Sequence, residues 1–185
     1  MQINVQIKAT RNGGYILEQR GSYCVPTTIY NILARYGLIG PNYERDFRRL
    51  VQSIHEMGIS TNEGMSGPQC MDVLYKLGIP CCHVSVKYAP RERITHWLNH
   101  NHVLIAFVNA GILWQDPKNE AEGQINHCLL IEKETDQNYI VRDTGSGRRR
   151  YSKDLLLESL GPDCIAVYGT GAERPKIFVD TEVKI

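Results

Sequence analysis

The chain has 185 residues, of which 42% are hydrophobic and 22% are charged, and its formal net charge is +1. This length and composition predict one globular domain over residues 1–185 that buries a sizeable core. The near-neutral charge provides no field that would attract nucleic acid or an anionic membrane, so we expect neither as a partner. No stretch approaches about eighteen consecutive apolar residues, so no segment is predicted to span a membrane.

The N-terminal segment is predicted to be a strand, because residues 1–7 alternate apolar and polar side chains. It has neither the basic region nor the apolar core of a secretory signal, so we expect a cytoplasmic protein in the cell that makes it. Delivery into another cell would then need a dedicated secretion machine. Gly13-Gly14 predicts a turn, and a self-processing site is the alternative interpretation of that pair.

The first helix is predicted over residues 24–36, with Cys24 at its start and Gly37 as the residue that ends it. Pro26 is tolerated in the first turn, where the missing N–H would have no partner. Apolar side chains follow at helical spacing. A thiol at this position lies at the positive end of the helix dipole, which favours the thiolate. Cys24 is therefore a candidate nucleophile.

The remaining pattern is helix-rich at first and strand-rich later. Helices are predicted over residues 42–57, 67–77 and 91–100. Strands are predicted over residues 82–88, 103–108, 128–132, 139–143, 164–168 and 176–179. This order predicts an α+β fold in which an antiparallel sheet packs against the leading helix. The polar stretch 116–124 is predicted to be a loop that borders a cleft and contributes to substrate selection.

A second pair of candidate residues comes from a predicted hairpin. His127 stands at the entry of one strand, and Asp143 stands at the end of the returning strand, sixteen residues later. Antiparallel pairing around the polar turn at 134–138 would bring these two side chains together. An imidazole that is held by a carboxylate can accept a thiol proton and return it to a leaving amine. Cys24, His127 and Asp143 therefore predict a nucleophile, its base and the group that orients the base.

These residues resemble the papain-like superfamily, and most closely its double-glycine-cleaving branch, the bacteriocin-processing peptidases often fused to ABC exporters. The matching pieces are Gln19 and Cys24, the helix end Ala34-Arg35-Tyr36-Gly37, the segment Glu63-Gly64-Met65-Ser66, Asn126-His127, and Val141-Arg142-Asp143. The resemblance runs from about residue 19 to residue 168.

The resemblance implies a papain-like fold and a cysteine endopeptidase that needs no metal or organic cofactor. It assigns Gln19, with the backbone N–H of Cys24, to the oxyanion hole. It also implies cleavage after small residues, above all after Gly-Gly, in a protein substrate. Because no exporter domain accompanies the sequence, analogy favours a bacterial toxin or effector, which would imply a cognate immunity protein.

Two other functions are open at the sequence level. A glutamine deamidase or transglutaminase-type effector would use the same triad, since a thioester formed from a side-chain amide needs the same nucleophile and base. A non-enzymatic binding module on a papain-like scaffold is the third hypothesis. It is supported by Val25, where the family has glycine, and by Gln19, which is displaced by one position from the family's glutamine.

The other cysteines and histidines have structural interpretations. Six cysteines without a compact spacing predict reduced side chains, with Cys70, Cys128 and Cys164 in the core and Cys81-Cys82 in a strand. His96, His100 and His102 could contribute to a metal site, but a helix end that leads into a buried strand is the favoured interpretation. The run Gly145–Tyr151 predicts a solvated basic turn, with attraction of an acidic substrate as the alternative.

Overall fold

The computed structural model describes residues 6–9, 15–18, 23–39, 42–61, 64–116, 124–147 and 149–169. Several predicted features lie outside these residues: Gln19, Glu63, Gly13-Gly14, residues 117–123 of the predicted loop, and the predicted strand 176–179. The predicted N-terminal strand is described from Gln6, as β1 (Gln6–Ala9), which pairs antiparallel with β2 (Tyr15–Glu18). Among the described residues, no helix has the length and apolar character needed to cross a bilayer.

The four predicted helices are present within one or two residues of their expected bounds. They are α1 (Cys24–Arg35), α2 (Tyr43–Glu56), α3 (Gly67–Lys76) and α4 (Pro90–Asn99). Gly37 ends α1 as predicted, with a φ of 68° and a hydrogen bond from Leu38 N to Leu33 O. Ser66 forms a capping box with Gln69 at the start of α3.

A six-stranded antiparallel sheet forms the centre of the fold, with the strand order β3-β8-β4-β5-β6-β7. Its strands are β3 (Cys81–Ser85), β4 (Val103–Val108), β5 (His127–Glu134), β6 (Asn138–Arg142), β7 (Arg150–Ser152) and β8 (Leu160–Val167). The α+β class and the antiparallel sheet are therefore confirmed. The short β7 and two helices, α5 (Ala110–Trp114) and α6 (Lys153–Ser159), were not predicted from the sequence.

The sheet is buried on both faces: the N-terminal helices pack on one face as predicted, and a second layer, which the sequence analysis did not predict, covers the other. Alternate residues of β5 belong to two cores: Cys128 and Leu130 pack on the face that carries α1, α2 and α3, and Leu129 and Ile131 pack on the face that carries α4, α5 and α6. Two buried faces explain why the central strands are continuously apolar. The arrangement places the first residue of α1 beside the first residues of β5.

Candidate active site

Cys24 is the first residue of α1, and its side chain is half-buried. The backbone N–H and the hydroxyl of Thr27 both donate to Tyr23 O, at 2.9 and 2.7 Å, and hold this end of the helix. Tyr23 supplies no side-chain cap, and residues 24–27 include no acidic side chain. Within residues 23–27, therefore, no side chain compensates the positive end of the helix dipole beside the Cys24 thiol.

His127 is the first residue of β5 and is 5% exposed. Its Nε2 lies 2.8 Å from Asp143 Oδ1. Because an ionised carboxylate only accepts hydrogen bonds, we assign a proton to Nε2, which leaves Nδ1 as the ring nitrogen that can interact with Cys24. The structure thus brings together all three residues that the sequence predicted as nucleophile, base and orienter.

The β5–β6 hairpin brings His127 and Asp143 together as predicted. Its register pairs Leu130 with Arg142, so Asp143 follows β6 directly and lies near the start of β5. A register irregularity between Ile131 and Lys133 adds one residue to β5.

Asp143 is fully buried and accepts hydrogen bonds from several neighbours besides His127. Its Oδ1 accepts from the backbone N–H of Gly145 at 2.9 Å and of Ser146 at 3.2 Å. Its Oδ2 accepts from Trp114 Nε1 at 2.8 Å, from Ser146 Oγ at 2.6 Å, and from the hydroxyl of Tyr151. These donors fix the carboxylate and stabilise its charge.

Trp114, Ser146 and Tyr151 are site residues that the sequence did not reveal. Trp114 comes from the short helix α5, and its ring centroid lies 5.1 Å from that of His127. Tyr151 comes from β7 and is 2% exposed, so the prediction of a solvated turn is wrong at this residue. The donors meet at Asp143 because β7 pairs with β6 and α5 follows β4 in the chain. No local sequence pattern predicts this arrangement.

Gly145 lies between these groups, and its lack of a side chain has a steric reason. A Cβ at this position would lie 2.6 Å from Trp114 Cζ2 and 3.0 Å from His127 Cε1. Any side chain would therefore displace either the indole or the imidazole.

The surroundings favour a thiolate–imidazolium pair. The hydrogen bond from Cys128 lowers the pKa of Cys24 most, burial opposes it, and the hydrogen bond and charge of His127 lower it further, from 9.0 to about 5. Burial lowers the pKa of His127, but hydrogen bonds with Asp143 and Cys24 outweigh burial and raise it from 6.5 to about 9. Burial raises the pKa of Asp143, yet hydrogen bonds with His127, Ser146 and Tyr151 hold that pKa well below its usual range.

Of the two donors in the predicted oxyanion hole, the structure describes the backbone N–H of Cys24. The first N–H groups of an α-helix have no intrahelical acceptor and are free to bind an oxyanion. Gln19, the predicted second donor, lies outside the described residues, and its role stays a prediction.

A groove with a volume of about 550 Å³ lies between the start of α3 and strands β4 and β8. Strand β4 pairs with β5, the strand that begins at His127. Its walls include the apolar side chains of Met65, Met71, Phe107, Ile125 and Ile165. Ile125 is two residues before His127 and is 43% exposed. The groove therefore offers an apolar surface that extends to the segment just before His127.

The predicted core cysteines Cys70, Cys128 and Cys164 are fully buried, and Cys81 and Cys82 lie in β3. The structure describes all six cysteines, and none of them forms a disulfide. His96, His100 and His102 lie at the end of α4 as expected, with Nδ1 of His102 at 2.6 Å from His100 O. Across the part of the chain that the structure describes, no group of three metal-ligating side chains has a suitable arrangement.

Comparison with known proteins identifies the fold. No protein-family model matches the chain, and no curated protein matches it. A double-glycine motif protease from an AMS/PCAT transporter, solved with the leader peptide, superposes with a TM-score of 0.57 at 12% identity, over 90% of this chain and 94% of the other.

Two further solved structures are similar. The peptidase domain of Streptococcus ComA, a bifunctional ABC transporter of a quorum-sensing pathway, has a TM-score of 0.54 at 11% identity, over 80% of this chain and 93% of that domain. A Bacillus anthracis protein described as a C39-like peptidase has a TM-score of 0.53 at 12% identity, over 84% of this chain and 90% of the other. The chain has the papain-like fold of double-glycine peptidase domains, and the predicted resemblance is confirmed for the fold.

Proposed function

We propose that this chain is a cysteine endopeptidase of the double-glycine kind. The observation that carries the proposal is the Cys24–His127–Asp143 arrangement: Cys24 begins a helix, the buried carboxylate of Asp143 holds the His127 imidazole at 2.8 Å, and the thiol and the imidazole shift each other's pKa toward the ion pair. This arrangement matches the chemical demands of acyl transfer: a thiolate, a proton donor for the leaving group, and a group that fixes the donor's ring.

In the proposed mechanism, the thiolate of Cys24 attacks the carbonyl carbon of the scissile peptide bond. The oxygen gains the negative charge and binds to the backbone N–H of Cys24 and, as a prediction, to Gln19. The imidazolium of His127 gives its proton to the departing amine, which leaves a thioester on Cys24. His127 then accepts a proton from water as the water oxygen attacks the acyl carbon of the thioester. The bond between that carbon and the Cys24 sulfur breaks, which releases the new carboxyl terminus and restores the thiolate and the imidazolium. Asp143 keeps its charge throughout and stabilises the imidazolium.

The proposed substrate is a protein that is cleaved after Gly-Gly. The fold supports this specificity, because solved structures with the same fold include a double-glycine motif protease bound to a leader peptide. The groove supports a preference for apolar side chains farther from the scissile bond, each of which would contribute about 1.5–3 kcal/mol if fully buried.

Mapping of new protein N-termini tests the reaction and its specificity together. A bacterial proteome would be treated with the wild-type protein and with Cys24→Ala. We expect new N-termini after Gly-Gly in the wild-type sample alone. Cuts that are scattered over bulky residues would contradict the Gly-Gly specificity, and cuts that persist with Cys24→Ala would contradict the mechanism. Unbroken targets that gain about one dalton would instead identify a deamidase that uses the same thioester chemistry.

We further propose that the enzyme acts as a toxin or effector on a protein of another bacterium and is neutralised by a cognate immunity protein. Expression of the wild-type protein in a bacterial host should slow growth, whereas Cys24→Ala should not. Equal growth with both forms would contradict the effector role and leave the peptidase activity to be judged by N-terminus mapping.

A further inference from the structure

The helix that carries Trp114 is too short to be stable alone. Helix α5 begins at Ala110 and has five residues, and an isolated helix of this length does not persist in water, so other contacts hold it. At its C-terminal end, Gln115 adopts the left-handed conformation with a φ of 54° and donates its N–H to Ile112 O. The helix therefore ends directly after Trp114.

Two asparagine side chains hold the N-terminal end of α5. The Oδ1 of Asn109 accepts from the backbone N–H groups of Gly111 at 2.9 Å and Ile112 at 3.2 Å. The Oδ1 of Asn126 accepts from the backbone N–H of Ala110 at 2.8 Å. These three N–H groups are among those that an α-helix leaves without an intrahelical acceptor. The first turn of α5 therefore depends on both side chains.

The two asparagines differ in their place in the chain. Asn109 directly precedes α5, so its cap is local. Asn126 is sixteen residues away from Ala110 and directly precedes His127. The backbone N–H of Asn126 donates to Val108 O at 3.1 Å, which continues the pairing of β4 with β5. The side chain of Asn126 therefore fixes α5 to the backbone that leads into the candidate base.

The other end of α5 returns to the same site. Trp114 Nε1 donates to Asp143 Oδ2 at 2.8 Å, and the indole centroid lies 5.1 Å from that of His127. Asp143 Oδ1 lies 2.8 Å from His127 Nε2. The contacts form a closed ring. Asn126 holds α5, whose Trp114 binds Asp143, and Asp143 in turn binds the residue that follows Asn126.

We propose that Asn126 is a positioning residue: its hydrogen bond to the N–H of Ala110 anchors α5 beside the candidate base, so that the Trp114 indole holds the Asp143 carboxylate in place. The proposal rests on the proposed peptidase function. Without this bond, α5 keeps its local cap but loses this tie to β5, and the indole can move away from the carboxylate. Asn126 is exposed, whereas Asn109 is buried, so replacement of Asn126 should leave the fold intact.

Hydrogen exchange of the Trp114 indole N–H, followed by NMR, measures this anchoring without a substrate. The chain has two tryptophans, and the spectrum of Trp114→Phe shows which indole signal belongs to Trp114. Asn126→Ala should speed the exchange of Trp114 by about tenfold and leave that of Trp97, which is buried in α4, unchanged. Faster exchange of both indoles would indicate a general loss of stability and would overturn the proposal, as would unchanged exchange of Trp114.

The kinetic test uses a fluorogenic peptide in which Gly-Gly precedes the cleaved bond. Asn126→Ala should lower kcat by about tenfold and leave KM unchanged, because Asn126 acts on the base and not on the substrate. In the Trp114→Phe background, which lacks the indole N–H, Asn126→Ala should have little further effect on kcat. Additive effects of the two substitutions, or a rise in KM alone, would overturn the proposal.

Asn42→Ala is the matched control. The Oδ1 of Asn42 caps α2 by accepting from the N–H of Arg45 at 3.3 Å, and α2 packs on the face of the sheet opposite to α5. The substitution removes the same kind of hydrogen bond from another helix, so neither kcat nor the exchange of Trp114 should change. An effect as large as that of Asn126→Ala would show that the loss of any helix cap is sufficient and would overturn the proposal.

Alkylation of Cys24 by iodoacetamide, located by peptide mass mapping, separates this proposal from the proposed function. If Cys24 has the reactivity of an ordinary thiol and His127→Ala does not change it, the thiolate–imidazolium pair is absent and the peptidase proposal fails. If an enhanced reactivity depends on His127 while Asn126→Ala leaves kcat and indole exchange unchanged, the peptidase proposal stands and only the role of Asn126 is wrong.

Discussion

Asp143→Asn tests how the buried carboxylate controls the base. The substitution preserves the shape of the side chain and an oxygen for His127 Nε2 and the backbone N–H groups of Gly145 and Ser146. It removes the negative charge and turns an N–H₂ toward Trp114 Nε1, which lies 2.8 Å from the present Oδ2. The imidazolium loses its counter-charge, and the indole N–H loses its acceptor.

The magnitudes follow from these contacts. A hydrogen bond to a charged group contributes about 1.5–3 kcal/mol, and one pKa unit corresponds to about 1.4 kcal/mol. The pKa of His127, raised to about 9 in this protein, should therefore fall by roughly one to two units in Asp143→Asn. The unpaired indole N–H should cost about 1–3 kcal/mol in the free energy of unfolding.

Histidine NMR across a pH titration measures the pKa of the His127 ring, and chemical denaturation measures stability. Trp114→Phe combined with Asp143→Asn is the control, because it removes the indole N–H that the asparagine leaves unpaired. The double variant should regain stability relative to Asp143→Asn alone and keep the lowered pKa of His127. An unchanged pKa of His127 in Asp143→Asn would refute the reasoning.

Three other predictions concern the same site. The pH profile of kcat/KM should be bell-shaped, losing activity as pH falls through about 5, where Cys24 is protonated, and as pH rises through about 9, where His127 loses its proton; a profile without either limb would contradict the ion pair. Gly145→Ala should lower kcat/KM by about 10²-fold or more, because the added Cβ would lie 2.6 Å from Trp114 and 3.0 Å from His127. In the control variant Gly67→Ala, the added Cβ would lie 3.5 Å from Phe107, and the alkylation of Cys24 should be unchanged. Ile125→Asp should weaken cleavage of a protein substrate by about tenfold or more without changing Cys24 alkylation. The control is Leu38→Asp, because Leu38 is an apolar residue that is 61% exposed and does not line the groove. This control should change neither the cleavage nor the alkylation.

The sequence predicts the parts of this site that depend on local chemistry. Gly37, Ser66 and the periodicity of the apolar residues define the helix ends, and the polar turn at 134–138 defines the hairpin that joins His127 to Asp143. Trp114 escapes such reasoning because α5 has only five residues, too few for a helical period. Tyr151 escapes it for another reason: its partners come from elements that the sheet topology, rather than the local sequence, brings together.

The burial of the sheet on both faces also depends on tertiary structure. The run from Leu155 to Leu157 is compatible with either a strand or a helix, and the choice is made by packing of α6 against the second core. Gln19 illustrates the opposite situation, since only its resemblance to a family position supports its role.

The central claim is that Cys24 is a nucleophile in a site that accepts Gly-Gly. A peptidyl chloromethyl ketone that ends in Gly-Gly tests it most directly, because the reagent combines recognition with alkylation. We predict that the wild-type protein gains one inhibitor mass on Cys24 and that Cys24→Ala gains none. The labelling rate of His127→Ala should be lower than that of the wild type by about 10²-fold or more. Labelling that is absent, or that falls equally on Cys81 and Cys82, would contradict the claim.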